Sequence, residues 1–378
     1  MTDLILCTIF ILHLIFYALF LYSVLRGLNS LEIPNDNRLP DEFVSVIIPF
    51  RNESENIIEN VKGLLNQDYP EENFEVIYVN DNSTDDSLKK LNEVRDNNNI
   101  KVLSLPGDYS SNAHKKRAIR YGIENSHGKI IVTTDADCVH SSNWLSSLMG
   151  NFNNETGFVS GPVEFIEEKK FFSRIQKLEF AGLVITGAGL IGAGRPTICN
   201  AANIAYKRKV YEEVNGFYDH MDLSSGDDEL LMQKIVRDTK YKVRFSLNKN
   251  SIVRTKSNSS ISQFYQQRKR WASKGLFYRN FRLILTLILI YLFYLGLILQ
   301  PFLFTINSTV FAVTFGLSVI VKFLLEFLIL RKGRQILFND LSLNLFLVAE
   351  ILQVPYIIIT GFAGMFGNLV WKEREIKR

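Results

Sequence analysis

Acidic residues follow several short apolar runs of this chain, and their types suit the binding of a cation and of phosphate. Asp81 comes just after Phe74-Glu75-Val76-Ile77-Tyr78-Val79, and Asp135 and Asp137 come just after Lys129-Ile130-Ile131-Val132-Thr133-Thr134. A further run, 43–49, gives way to Phe50-Arg51-Asn52-Glu53. Carboxylates gathered at one edge repel one another unless a cation or a donor-rich ligand lies among them. A hard divalent ion held by one or two carboxylates and by phosphate oxygens meets that need. Helix capping is a plainer account of Asn82-Ser83-Thr84-Asp85, since Ser, Thr and Asp all cap well. Capping does not explain Asp81, Asp135 and Asp137 together.

The elements that must position these residues alternate in type. Strands are predicted over 43–49, 74–79, 101–105 and 129–134, with helical spacing over 53–66, 85–95 and 113–125. Such alternation specifies a mostly parallel sheet with helices on its faces. Ligands of such sheets bind beyond the carboxyl ends of the strands, where these acids fall. A dinucleotide-binding oxidoreductase is excluded, because Pro49-Phe50-Arg51-Asn52-Glu53 stands where G-x-G-x-x-G would follow the first strand.

At this point five motifs, in order, resemble those of family 2 glycosyltransferases. Val46-Ile47-Ile48-Pro49-Phe50-Arg51-Asn52-Glu53, Val79-Asn80-Asp81-Asn82-Ser83-Thr84-Asp85 and Asp135-Ala136-Asp137 are similar to the opening, nucleotide and metal motifs. Gly226-Asp227-Asp228 resembles the acidic T-E-D motif, with Gly226 and Asp227 in place of Thr and Glu. Gln267-Arg268-Lys269-Arg270-Trp271 resembles Q-x-x-R-W. By architecture the nearest members are membrane synthases of the poly-N-acetylglucosamine, hyaluronan and cellulose kind, and ceramide glucosyltransferases.

The resemblance implies an α/β GT-A fold, inversion at the anomeric carbon, a nucleotide-sugar donor (UDP-sugars being commonest) and Mg²⁺ or Mn²⁺. Position by position, it implies that Pro49, Arg51, Glu53 and Asp81 line the donor site, with Asp81 at the nucleoside. Asp135 would serve the ribose or the metal, and Asp137 the metal that bridges the diphosphate. Lys115 or Lys116 falls where the family often has a phosphate-contacting lysine; a solvated basic helix face is the alternative. Asp228 takes the position of the catalytic base, with Asp227 and Glu229 one residue to either side. The same acids would also suit a helix N-terminus. Gln267, Arg270 and Trp271 are implied at the transfer site, Arg270 neutralising diphosphate and Trp271 stacking on a glycan or lipid acceptor. Simple headgroup anchoring is the alternative for that stretch. Asn200 to Arg208 resembles the small-residue segment beside the acceptor.

Charge and hydropathy then place the chain at a membrane. Residues 4–25 carry no acidic or basic side chain apart from His13, and 283–306, 309–330 and 341–366 are also long and apolar. Each is long enough to cross a bilayer. The expected organisation is an N-terminal transmembrane anchor (1–27), a GT-A domain (40–258), an amphipathic interface helix (259–280) and two to three C-terminal transmembrane segments (281–370). From Lys240 to Arg282 there are twelve Lys or Arg and no Asp or Glu. A basic block running into a span marks the cytoplasmic side and meets anionic headgroups, so no nucleic-acid partner is expected. Cys7, Cys138 and Cys199 show neither metal spacing nor a disulfide framework, in keeping with a reducing compartment. The expectation is therefore an integral, multi-pass membrane protein whose catalytic domain faces the cytoplasm.

Two stretches stay open at this level. Glu350, Gln353 and Pro355 interrupt the last apolar stretch, which could cross, re-enter, lie at the interface or line a cavity. The glycine-rich stretch 182–194 suits a small-residue association patch, a mobile acceptor loop or tight packing. With three or four spans, polymer export would call for a second copy or an accessory export subunit. A glycolipid synthase that adds one sugar would need neither. A nucleotide-binding membrane subunit without catalysis is the rival class, and it would need no base.

Overall fold

Unbroken apolar runs build a sheet, and apolar residues sustained over about twenty positions or more build long helices. The computed structural model describes every residue except 1, 34–41, 95–98, 107–112, 167, 222–225, 367–368, 372–373 and 377–378. Met1–Ser30, Glu167–Ala193 and Asn258–Glu375 form a helical unit, and Leu31–Ile166, Gly194–Ser257 and Ile376–Arg378 a sheet unit.

The chain begins with α1 (Thr2–Ser30) in the helical unit. The sheet unit follows with β1 (Val44–Phe50), α2 (Ile57–Leu65), β2 (Phe74–Asn80), α3 (Ser87–Val94), β3 (Ile100–Ser104) and α4 (His114–Glu124). It continues with β4 (Ile130–Thr133), α5 (Trp144–Met149), β5 (Thr156–Ser160) and β6 (Val163–Phe165). After α6 (Phe171–Gly192) in the helical unit come β7 (Ile204–Lys207), α7 (Arg208–Glu213), α8 (Glu229–Asp238), β8 (Lys242–Phe245) and β9 (Val253–Thr255). The helical unit is completed by α9 (Ile261–Ser273), α10 (Phe281–Leu299), α11 (Ser308–Ile336), α12 (Phe346–Phe366) and a two-stranded ribbon, β10 (Leu369–Trp371) and β11 (Arg374–Ile376). Arg95, the expected end of the second soluble helix, lies outside the described residues, as do Lys372, Glu373, Lys377 and Arg378 of the tail.

The main sheet has the order β3-β2-β1-β4-β7-β5-β8. β1 pairs in parallel with both β2 and β4, so strand order reverses beside β1. That reversal opens a crevice at the carboxyl ends of the strands. Val46, Ile47 and Ile48 of β1 are fully buried, which explains why this strand reads as a continuous apolar run. The parallel expectation holds for β1 to β4, whereas β7 runs antiparallel to β4 and β5. At four residues, Ile204–Lys207 is too short to show a strand pattern of its own.

Among the described residues five helices are long and apolar enough to cross a membrane: α1, α6, α10, α11 and α12. The sequence pattern marked four of them and placed α6 inside the 40–258 segment. Its best window has a mean hydropathy of only 1.2, because Gln176, Lys177 and Glu179 dilute the apolar residues. The glycine-rich stretch proves to be tightly packed helix. A Cβ on Gly27 would lie 1.9 Å from the Gly189 carbonyl oxygen, and one on Gly189 would lie 2.6 Å from that of Val24. Small residues let α1 and α6 approach backbone to backbone.

The polar residues of α12 turn toward partners within the same unit. Lys322 of α11 is fully buried, and its Nζ donates to Glu350 and, at 2.8 Å, to Gln353, with Glu326 at 3.1 Å. The Tyr17 hydroxyl of α1 donates to Glu326 at 2.5 Å, and the Tyr294 hydroxyl of α10 to Gln353 at 3.0 Å. Glu350 and the Gln353 side-chain oxygen thus find donors within the unit, as polar groups in an apolar setting require.

Gly189→Ala should lower the thermal midpoint of the detergent-solubilised protein by the equivalent of about 1–3 kcal/mol, because backbone must move to admit the methyl group. Gly316→Ala on α11, where nothing lies within 4 Å of the added Cβ, should leave the midpoint unchanged or raise it slightly, since alanine is the better helix former. Equal melting of the two variants in a dye-binding scan would contradict this packing.

Candidate active site

The loops after β1 and β2 are fastened to each other before any ligand is considered. Arg51 Nη1 donates to the carbonyl oxygens of Asp81 and Asn82 at 2.9 and 2.5 Å. The Asn52 Oδ1 accepts from Thr84 N at 2.8 Å, and Glu53 N donates to Ser87 Oγ at 2.7 Å. Asn52 and Asn82 both have positive φ, 52° and 54°, a conformation that asparagine tolerates better than most residues. Asp85 accepts from Ser54 N and Ser87 N. Partial burial opposes its charge, but these donors and the Ser87 hydroxyl prevail and bring its pKa down to about 2. Capping therefore does account for Asp85, as its residue type suggested.

Asp81 ends this loop system in a different setting. It is buried, and its Oδ1 accepts from Arg117 Nη2 of α4 at 2.5 Å. Pro49 lies within β1, paired with Val79, and the Glu53 carboxylate accepts from Asn56 Nδ2 at 2.8 Å. Arg51 and Glu53 thus brace the rim, and Asp81 is the carboxylate that the rim surrounds.

The second half of the site is organised by Lys115, in the first turn of α4. Its Nζ lies 2.5 Å from Asp135 Oδ1 and 3.3 Å from Asp227 Oδ2. Burial works against the ammonium charge, but Asp135, Asp227 and Asp228 outweigh it and hold Lys115 protonated well above its ordinary range. Lys116, the neighbouring candidate, is fully buried, while Lys115 joins Asp135 and Asp227. The mutual repulsion that called for a cation is met here by a lysine of the chain itself.

Asp135 and Asp137 sit on the turn after β4, and this turn is held from below. Asn60 Nδ2 of α2 donates to the carbonyl oxygens of Asp135 and Cys138 at 3.2 and 2.7 Å, and Asn60 accepts from the Tyr78 hydroxyl at 2.7 Å. The Thr255 hydroxyl donates to Asp137 Oδ2 at 3.3 Å. Among the described residues no three His, Cys, Asp or Glu side chains gather as metal ligands. Two hard carboxylates two residues apart, one of them 35% exposed, still fit Mg²⁺ or Mn²⁺ when phosphate oxygens supply further ligands.

Asp228 is the N-cap of α8. Its Oδ1 accepts from Glu229 N at 2.7 Å and its Oδ2 from Ala201 N at 3.2 Å. The cap reading therefore holds for this carboxylate, and its two backbone donors fix its direction. Gly226 has φ +84°, so a threonine there, as in the common pattern, would be strained. Nearby, Asn203 is fully buried and fixes the small-residue segment through Trp144, Pro162 and Ser251. His140, bonded to Thr134 and packed on Trp144, has its pKa pushed down to about 3 by burial and is structural.

Gln267, Arg270 and Trp271 lie on α9, which belongs to the helical unit. Gln267 Oε1 accepts from Asn258 Nδ2 at 2.9 Å, and the Trp271 ring packs on Phe180 with centroids 6.0 Å apart.

Residues 45–215 match the family model described as Glycosyl transferase family 2. These residues are a family 2 glycosyltransferase domain. The chain is 29% identical over 197 residues, 49% of its length, to glycosyltransferase AglE of Haloferax volcanii, and 23% identical over 254 residues, 66% of its length, to a poly-beta-1,6-N-acetyl-D-glucosamine synthase of Staphylococcus epidermidis. Those matches span only 59% and 58% of the two relatives. The mannosyltransferase PcManGT of Pyrobaculum calidifontis, solved with GDP-Man and Mn²⁺, superposes with a TM-score of 0.60 at 18% identity. The superposition covers 97% of this chain and 99% of that one. It bears out the expected GT-A α/β fold with an N-terminal helix and C-terminal helices long enough to span a membrane.

Two supports of the family 2 domain escaped the sequence reading. Asn60 stands among Ile57, Val61 and Leu64 on the buried face of α2, and a polar residue on an apolar stripe was the available signal. Arg117 is two residues beyond Lys115, yet nothing in the spacing tells which base of His114-Lys115-Lys116-Arg117 reaches which acid.

Lys115→Met should destabilise the protein by about 1–3 kcal/mol, the cost of leaving partly buried carboxylates without their partner. Asp227→Asn in the same chain should recover part of that loss, because the two residues share one interaction. Denaturant midpoints of the single and double variants measure the coupling, and simple additivity would refute it.

Proposed function

We propose that this protein is a membrane-embedded, inverting glycosyltransferase that moves a sugar from a nucleotide-sugar, a UDP-sugar in the first instance, to a membrane-associated glycan or lipid. The observation that carries the reading is the junction of Asp135, Asp227 and Asp228 about Lys115 at the carboxyl edge of the sheet.

In this reading Asp81, fixed by Arg117, accepts hydrogen bonds from the nucleoside, and the braced loop 51–54 closes that end of the donor site. Lys115 meets the diphosphate. Asp135 and Asp137 would hold Mg²⁺ or Mn²⁺, which when bound supplies further positive charge to the diphosphate. Asp228 takes the proton from the acceptor hydroxyl as its oxygen attacks the anomeric carbon. The bond from that carbon to the diphosphate breaks with its electron pair, and the nucleoside diphosphate leaves. Lys115 engages Asp227, and the amides of Glu229 and Ala201 orient Asp228, which supports Asp228 as the base. On α9, Arg270 neutralises the diphosphate, and Gln267 and Trp271 serve acceptor transfer. The basic run ending at Arg282 supports a cytoplasmic face for the family 2 domain.

Asp228→Asn should reduce turnover by about 10²–10⁴-fold while nucleotide affinity is kept, since a general base acts in the transition state. Membranes carrying the protein, given a panel of radiolabelled nucleotide-sugars, supply the assay, and partition of label into lipid or polymer identifies the acceptor class. If Asp227→Asn or Glu229→Gln is crippled while Asp228→Asn stays active, the base lies at the neighbouring position.

In the same assay, chelation by EDTA should stop transfer, and Mg²⁺ or Mn²⁺ should restore it. Asp137→Ala should lose donor affinity only when the ion is present. Equal rates with EDTA and with either ion would refute the role given to Asp137.

A further inference from the structure

We propose that Glu179, in the middle of α6, is a positioning residue that sets the side chains of Gln267 and Trp271, and that it acts through Arg268. The inference rests on the reading of α9 as the element that serves acceptor transfer. Arg268 is not one of the fixed positions of Q-x-x-R-W, and its geometry explains why it matters here. Its Nε donates to Glu179 Oε1 at 3.1 Å and its Nη2 donates to Glu179 Oε2, a two-pronged contact. Its Nη1 donates to Gln267 Oε1 at 2.5 Å. The guanidinium carbon lies 4.3 Å from the centre of the Trp271 ring and 4.5 Å from that of Phe264. One planar cation therefore touches two of the three motif side chains.

A carboxylate gripping both prongs of a guanidinium fixes its plane as well as its position. The faces of that plane are then set as stacking surfaces for aromatic rings. Glu179 thus dictates the tilt of Trp271 without touching it. Tyr356 of α12 supports Glu179 from the other side, its hydroxyl donating to Oε1 at 2.7 Å and its ring packing edge-on against Phe264 with centroids 5.5 Å apart. Both charged side chains are almost fully buried, Glu179 at 6% and Arg268 at 4% exposure. A buried ion pair of this kind seldom adds stability over apolar residues of similar volume. What it offers that apolar packing does not is a fixed angle, and the side chains that inherit the angle are Gln267 and Trp271.

That difference separates a positioning role from a purely structural one. The full-length protein in detergent or nanodiscs is compared with Glu179→Gln, Tyr356→Phe and the double variant Glu179→Met/Arg268→Met. Four quantities are read: sugar transfer to membrane acceptor, nucleoside diphosphate released with water as acceptor, the thermal midpoint, and the near-ultraviolet dichroism band that Trp271→Phe removes. Glu179→Gln should cut the ratio of transfer to hydrolysis about tenfold, as an increased KM for acceptor, and weaken the Trp271 band. Tyr356→Phe should change both in the same direction by less. The double variant should melt near the wild-type temperature yet keep the low ratio. Recovery of transfer in the double variant overturns the proposal, as does a loss of transfer and hydrolysis together in step with the midpoint. An active wild type whose ratio and dichroism are unaltered by Glu179→Gln overturns this inference alone. A wild type that consumes no nucleotide-sugar overturns the glycosyltransferase reading and this inference with it.

Discussion

The sheet unit depends on one charge relation: a single ammonium group among carboxylates that come from distant parts of the chain. Lys115 comes from the start of α4, Asp135 from the end of β4 and Asp227 from the turn before α8. Arg117 offsets Asp81 at the same edge, but without Lys115 the carboxylates of Asp135 and Asp227 would lose the cation they share. On the proposed function, the lysine that restrains these acids would also meet the anionic diphosphate of a donor.

Much of this arrangement could be read from the chain because strand ends are conspicuous. A short run such as Val44 to Phe50, apolar but for Ser45 and rich in β-branched residues, suits a strand covered on both faces, and the polar residues that follow it then lie at an edge. Asp81, Asp135 and Asp137 were found in that way, and Asp228 through the resemblance of its motif. Pairings that cross the fold were not legible. Arg117 with Asp81 and Lys115 with Asp135 depend on the rotation of α4 about its axis, which several adjacent basic residues leave undetermined. Asn60 supports the Asp135 turn from beneath, a role fixed by contact rather than by spacing.

The helical unit shows the same division. Residues 4–25 declare themselves by length and apolarity alone. The α6 helix does not, since Arg174, Lys177 and Glu179 lower its hydropathy and its glycines suggest a loop. Those glycines are needed because two backbones touch at Gly27 and Gly189. Glu179 is tolerated because Arg268 lies far away in sequence and next to it in space.

The buried hub about Lys322 has a consequence for how the protein is made. In a bilayer, a lysine near the middle of a helix costs on the order of 3 kcal/mol at insertion. Lys322 and Glu326 leave the ribosome with α11, whereas Glu350 and Gln353 follow only with α12, across the short stretch 337–345. By that time Tyr17 and Tyr294 have already been synthesised, and they can receive one side of the hub. On the membrane-embedded reading, the favourable course is for α11 and α12 to enter lipid together as a hairpin whose polar faces already meet. The order of translation then becomes a folding constraint, because α11 alone would hold Lys322 with Glu326 of its own helix but without Glu350 and Gln353 of α12.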